Sequence, residues 1–266
     1  MQPRRFWQEM NTLDFGVAAA DWIAVLPIAA IEQHGPHLPV YTDACIAEGM
    51  VRRVVDILPE DLPATFLPLQ AVGKSNEHIS SPGTLTLSSE TLVSMLVELG
   101  DSVVRAGVKK LVIVNSHGGN VPILDIVTRE LRVRHDMLAV ATAWSRFGHP
   151  DGMFGPDETA YGIHGGDIET SVMLHLRPDL VRMAKARDFR SAQVDFAAEF
   201  KHLRAHGLHQ FGWKAQDLNP EGTVGNASAG RAAKGKAVID HQTARFVELL
   251  KDVAAFNLNR LWTPSP

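Results

Sequence analysis

Short runs of strand-type apolar residues alternate with segments of helical period from residue 21 to residue 144, and this alternation is the tightest constraint on the fold. DWIAVLPIAAIE reads as a first strand. DACIAEGMVRRVVDIL then carries Ile46, Met50, Val54 and Ile57 at spacings of three and four, one apolar face of a helix. LPATFLPLQAV follows as a second strand with proline-marked ends, and SSETLVSMLVELGDSVVRAGV as a helix capped at Ser88 or Ser89 and stopped at Gly107. KKLVIVN is a short all-apolar strand of the kind buried on both faces of a parallel sheet. NVPILDIVTRELRVRH reads as a helix and MLAVATAW as a further strand. The order β-α-β-α-β-α-β predicts an α/β fold: an open, mostly parallel sheet with helices on both sides. Residues 148–163, rich in Gly, Pro and Asp, read as a loop over one edge of the sheet. IETSVMLHL returns to helix, residues 188–218 give no clear pattern, and KGKAVIDHQTARFVELLKDVAAFN closes the chain as an amphipathic helix.

With 266 residues, 45 % apolar and 21 % charged, the chain can fill one large core, and no repeat or long linker divides it. A single domain over residues 1–266 is expected. The formal charge of -4 gives no reason to expect nucleic acid or an anionic membrane as partner, so a small-molecule substrate is expected instead. The apolar stretch behind MQPRRFWQEM is cut by Asp14, Asp21 and Pro27, which argues against a signal peptide or a spanning helix. Cys45 is the single cysteine, so a metal would have to be held by imidazole and carboxylate, and a reducing, cytoplasmic setting is expected.

Open parallel sheets place ligands at the carboxyl ends of their strands. Three polar clusters fall there. In AAIEQHGPHLPVYTD, residues 29–43, Glu32 and His34 are two apart and project to one side if the first strand continues through them, and Asp43 opens the next helix. VIVNSHGGN puts His117 just off a buried strand, with Gly118 and Gly119 behind it. YGIHGGDIETS brings His164, Asp167 and Glu169 to a helix start. Imidazole and carboxylate from three strand ends suit zinc or manganese. Each cluster also has a purely structural reading. Asp43 is a preferred N-cap residue, His117-Gly118-Gly119 makes an ordinary turn or an anion nest, and Glu169 complements a helix dipole. Three such clusters in one sheet are hard to explain as three unrelated caps.

EQHGPHLPVYTD, GKSNEHISSPGTLTLS, NSHGGN, HGGDIETS and GTVGNASAGRAAKGKAVID stand in the order and spacing of the creatininase (creatinine amidohydrolase) family, which the chain resembles over roughly residues 20–250. The resemblance implies a three-layer α/β/α sandwich, two divalent metal ions per subunit (zinc, manganese or iron), hydrolysis of a non-peptide C–N bond and often a homohexamer. It assigns Glu32 and His117 to one ion, His34 to the other, and Asp43 as a carboxylate bridging both. Creatinine-hydrolysing members carry a tyrosine and a glutamate where this chain has Gly118 and Gly119. The resemblance to members with the double glycine therefore makes Glu169 the remaining ligand, on the side of His34. The same difference argues against creatinine itself as substrate. His164 takes an active-site role as proton donor or carbonyl polariser, Gln33 and His37 support the ligands from behind, and Ser75, Glu77 and His78 lie near the pocket. Asn120 contacts substrate or caps its helix, and Trp144 walls the pocket or belongs to the core.

Two divalent ions bridged in this way lower the pKa of water towards neutrality, which gives amide-type hydrolysis without a protein nucleophile. The leading expectation is an amidohydrolase acting on a cyclic amide, formamide or related small amide. The first alternative is a peptidase in the maturation of a peptide-derived redox cofactor of the mycofactocin type. The second is a non-catalytic binding protein that keeps only the fold.

Overall fold

The computed structural model describes residues 2–262. Its centre is a four-stranded, all-parallel sheet in the order β2-β1-β3-β4, built from β1 (Ile23–Ile28), β2 (Ala64–Phe66), β3 (Lys110–Asn115) and β4 (Leu138–Ala143). The two central strands are buried on both faces, and their alternation sorts the core into two halves. Ile23, Val25, Val112 and Val114 face one side, where they meet α1 (Thr42–Ile57), α5 (Asp167–Leu176) and α8 (Ala232–Ala255) through Met50, Val54, Met173, Val238 and Phe246. Ala24, Leu26, Leu111 and Ile113 face the other, packed on α2 (Ser89–Arg105) and α3 (Val121–His135) through Leu92, Leu96, Leu124 and Leu131. The result is the expected three-layer α/β/α sandwich.

Helix limits follow local chemistry. The Ser88 hydroxyl accepts the Thr91 N–H at 3.2 Å as N-cap of α2, and the chain turns out of that helix at Gly107, φ +90°. Between α1 and α2 the chain crosses from one face of the sheet to the other, so the crossovers leaving β1 and β3 lie on opposite faces. The gap between the ends of β1 and β3 is the switch point at which such sheets hold their ligands.

Several expectations are corrected. β1 stops at Ile28, so no continuous strand carries Glu32 and His34. Pro27 still sits in register opposite Val114, and its carbonyl accepts from Gln70 N at 3.0 Å, on the side where the β2 ladder has already ended at Phe66. Asp43 is not the N-cap of α1: Tyr41 holds that position and no side chain caps it. The segment 148–163 is not all loop, because Pro156–Tyr161 forms a short helix, α4. Residues 188–218 hold β5 (Asp188–Phe189), α6 (Gln193–Glu199) and α7 (Ala215–Leu218), and β5 pairs antiparallel with β6 (Gly225–Asn226). Elements this short leave little periodic signal. Among the described residues no helix is long and apolar enough to cross a membrane.

Candidate metal centre

Past β1 the chain folds into a tight loop closed by Glu32 N–H donating to Val40 carbonyl at 3.0 Å, and this loop buries Glu32 and His34 at the sheet end. The first turn of α1 brings Asp43, the end of β3 brings His117, and the start of α5 brings Glu169. Glu32, His34 and Asp43 are each at most 1 % exposed. The five sequence-predicted ligand positions therefore meet in one cluster, four of them buried and Glu169 partly exposed.

Two foci are distinguishable. At one, His34 Nε2 lies 3.3 Å from Asp43 Oδ1 and 3.7 Å from Glu169 Oε2. At the other, His117 Nδ1 lies 3.2 Å from Glu32 Oε1 and 3.5 Å from Asp43 Oδ2. Asp43 thus turns one oxygen to each. Charge-assisted pairs of this kind close to about 2.7–2.9 Å when they bond directly. Two ligands about 2.1 Å from a tetrahedral ion are held about 3.4 Å apart instead. The spacing matches ligands arranged around cations. Glu32 Oε1, His34 Nε2 and Asp43 Oδ2 are also buried without a hydrogen-bond partner, an arrangement that is costly unless something else satisfies them.

The imidazoles are oriented by backbone carbonyls. His34 Nδ1 bonds the Glu32 carbonyl at 3.0 Å and His117 Nε2 the Lys74 carbonyl at 2.8 Å, so each turns its other nitrogen to its focus. These acceptors, and not Gln33 or His37, fix the two rings. His37 supports the α5 turn: its Nε2 reaches the Gly165 carbonyl at 2.9 Å and Thr170 Oγ1 at 3.1 Å, and its ring stacks on Phe189. Gln33 lies behind two other histidines, with its amide nitrogen 2.7 Å from His78 Nδ1, and its amide also donates to the Gly222 carbonyl. Its own carbonyl accepts from His164 Nε2 at 2.8 Å. His164 Nδ1 is left facing Glu32 Oε1 at 3.5 Å.

The loop after β2 contributes more than its sequence suggests. Ser75 donates to Glu32 Oε2, Glu77 Oε1 lies 3.4 Å from His117 Nε2, and His78 stacks on His164 at 4.3 Å with its Nε2 3.6 Å from Glu32 Oε1. Gly119 is required here, because a Cβ would strike the Lys74 carbonyl, the Glu77 carboxylate and the His117 ring. Gly118 has open space around it and lines a cavity. Asn120 holds the N-cap position of α3, but its side chain makes no capping bond and does not line the cavity. Fully buried, it donates to the Ala29 carbonyl and Asn115 Oδ1, both at 3.0 Å, and accepts from Lys74 N–H at 2.8 Å, tying three strand-end loops together.

Electrostatics follow the geometry. Burial alone would raise the Glu32 carboxyl, but the surrounding imidazoles of His117, His164 and His78 hold it well below its usual range. Burial works against protonated His34, yet Asp43, Glu169 and Glu32 outweigh it and raise the imidazole to about 10. His117 is likewise raised by Glu32 against the effect of burial. Asp43 is pushed up to about 6 by burial, with the Glu32 charge adding and His34 opposing. Burial and the neighbouring charge of His34 lower His164 to about 4, and burial with His164 beside it lowers His78 to about 2. Without cations the cluster holds protons in their place.

A cavity of about 440 Å³ opens on the cluster, lined by His117, Gly118 and Glu169 on one side and by Met50, Trp144 and Ile163 among its apolar walls. No lysine or arginine lines it among the described residues. Trp144 both walls this cavity and belongs to the core, with its ring edge-on to Phe246 at 4.9 Å. His135, remote from the centre, pairs with Asp101 between α3 and α2 at 2.6 Å.

The clustered imidazoles and carboxylates at the sheet's switch point have the residue types a divalent metal site requires, and comparison with known proteins gives the chain a family. The family model described as creatinine amidohydrolase matches residues 8–250: the chain belongs to the creatininase family, whose members are hydrolases. It is 31 % identical over 264 residues to the mycofactocin precursor peptide peptidase of Mycobacterium ulcerans (strain Agy99), covering 97 % of this chain and 93 % of that one. It is 31 % identical over 202 residues to the creatinine amidohydrolase of Pseudomonas putida, covering 68 % and 74 %. The crystal structure of a creatinine amidohydrolase (creatininase) superposes with a TM-score of 0.71 at 25 % identity, over 95 % of this chain and 99 % of the other. Solved relatives include a mutant creatininase of Zn–Zn type and a manganese creatininase, with TM-scores of 0.74 and 0.72.

Proposed function

We propose that this chain is an amidohydrolase with a dinuclear metal centre that cleaves the C–N bond of a small, uncharged amide such as a lactam or formamide. The observation that carries this reading is Asp43, whose two carboxylate oxygens stand 3.3 Å from His34 Nε2 and 3.5 Å from His117 Nδ1. In this reading Glu32, His117 and Asp43 hold one ion, and His34, Glu169 and Asp43 the other, with zinc, manganese or iron as candidates. Two ions so placed supply an activated water near neutral pH. Gly119 offers no side chain of its own as a ligand, and Glu169, with Oε2 3.7 Å from His34 Nε2, completes the second set. His164 donates from Nε2 to the Gln33 carbonyl, which leaves Nδ1 able to take a proton and pass it to the departing nitrogen. With its Nε2–H already given to the Gln33 carbonyl, neutral His164 has no free N–H with which to polarise the substrate carbonyl. The cavity without lysine or arginine suits a neutral or apolar group beside the scissile bond.

A second reading, a peptidase that trims a modified precursor peptide, is supported by the near full-length match to a mycofactocin precursor peptide peptidase. Gly118 on the cavity wall leaves room for a bulkier chain there. We also place the protein in the cytoplasm, as a single-domain subunit of a homo-oligomer, a hexamer by family resemblance, whose size light scattering would measure. The experiment that separates the two activities is hydrolysis of a panel of lactams, formamides and small amides beside short peptides ending in apolar residues, before and after chelation. Chelator-sensitive cleavage of the small amides supports the first reading, and cleavage of the peptides alone supports the second. Cleavage of the same compounds that persists after complete metal removal contradicts both.

A further inference from the structure

We infer that Glu158 is a positioning residue: it locks the cavity-covering segment 148–163 onto the start of α5, and so fixes Glu169 and His164 relative to the metal cluster. The inference rests on the dinuclear reading for its metal readout and on geometry alone for the lock. Glu158 lies in α4 with its side chain turned into the protein. Its carboxylate accepts Asn226 N–H at 2.9 Å, 68 residues on, and Ile168 N–H at 3.4 Å, in the helix that follows α4. The slot is walled by glycines from three places. A Cβ at Gly162 or Gly166 would collide with the carboxylate, and one at Gly225 would lie 3.0 Å from Glu158 Oε2 and closer still to the Gly162 and Gly166 backbones.

Helix α5 needs this carboxylate. Its N-cap is Gly166, which offers no side chain, so the N–H groups of its first turn have no cap of their own. Glu158 provides one from outside the helix and places negative charge at the positive end of the dipole. Glu169 lies within this same turn, and its Oε2 accepts Gly165 N–H at 2.5 Å while standing 3.7 Å from His34 Nε2. The His164 carbonyl, just before, accepts from Val224 N–H at 2.8 Å and Thr223 Oγ1 at 2.6 Å. Asn226, Val224 and Thr223 thus belong to one strip to which both the cover and the helix start are fastened. α4 is also a thin partition, since Glu158 and Gly162 line both the 440 Å³ cavity over the cluster and a second cavity of about 420 Å³ behind it. With space on both sides, the carboxylate in its glycine slot is what holds α4 in place. At the other end of the segment Gly148, φ +70°, is held by Gln242 Nε2 donating to its carbonyl at 2.8 Å.

The test compares Glu158→Ala, Glu158→Asp and Glu158→Gln in the full-length protein by amide hydrogen exchange and by manganese and zinc titration. Ala and Asp, which lack an acceptor or the reach for one, are expected to speed exchange across residues 156–170 and 223–226 by at least about tenfold. They are also expected to weaken one of two metal equivalents by about tenfold, the scale of losing a group that orients a ligand, and to leave the other unchanged. Gln keeps the length but only one acceptor oxygen, and turns its NH2 towards the other N–H donor, so it is expected to fall between wild type and Asp in both readouts. If Ala fails to fold, Asp carries the same two readouts. Wild-type exchange over 156–170 in the Ala or Asp protein overturns the lock, as does equal weakening of both metals with faster exchange throughout the chain. A wild-type protein that takes up no metal overturns the dinuclear reading instead, and the exchange comparison then decides the lock by itself.

Discussion

Asp43 joins two foci that are otherwise separate, while Glu169 serves only the one it shares with His34. Glu169→Gln is therefore expected to weaken the ion held with His34 by at least about tenfold, more than its neighbour, since losing even a supporting group costs a metal site that much. Metal analysis at graded free-metal concentration measures this, and unchanged occupancy of both positions points to a different fifth ligand. Protonation gives a second prediction. His34 is raised to about 10 and His117 well above its usual value, so both carry protons at pH 7 in the metal-free protein. A ligating imidazole must lose its proton, so metal uptake near pH 7 should release protons, and affinity should fall as the pH falls. Calorimetry in two buffers of different ionisation enthalpy reads the proton count, and a count of zero contradicts the assignment of both imidazoles. At this scale the five residues proposed as ligands could be picked out because they stand in long motifs at strand ends and helix starts. Gln33 and His78 were placed near the site without their contacts, and Glu158 was missed, because the partners lie 45 to 189 residues away for Gln33 and up to 68 for Glu158, and no local spacing encodes such contacts.

Helices and strands contribute to the site unequally. α1 and α5 carry Asp43 and Glu169 on one face of the sheet, whereas α2 and α3 fill the other face with apolar side chains. Leu96 of α2 is fully buried in that second half. Leu96→Ala is expected to destabilise the fold by about 2–5 kcal/mol, mostly through the cavity it leaves, with the metal content of the folded fraction unchanged. Denaturant unfolding and elemental analysis on the same sample test it, and loss of metal without loss of stability would contradict this division of labour. The helices α1, α2, α3 and α8 were legible from their apolar period. The strands were legible in kind and too long in extent, since β1 ends at Ile28 and β2 spans only Ala64–Phe66. Apolar residues past those ends, such as Ala29 and Ala30, are buried by loops that close over the sheet. α4 escaped because Gly155 and Pro156, read as loop residues, here start a short helix with proline in its first turn.

At the scale of the molecule, a parallel sheet in the order β2-β1-β3-β4 opens its switch point between β1 and β3, and the chain puts Glu32 after one strand and His117 after the other. α1 and α5 then deliver Asp43 and Glu169 from one face, so three carboxylates gather around two imidazoles only when the fold is complete. Such a cluster is expensive unless cations or protons fill it, which makes metal content the most direct test of the account. The measurement is elemental analysis per subunit on protein purified without chelator and after reconstitution with zinc or manganese, beside Asp43→Ala. The account predicts close to two divalent ions in the wild type and neither in the variant. A wild type that holds none after reconstitution, or an Asp43→Ala protein that keeps two, would contradict it.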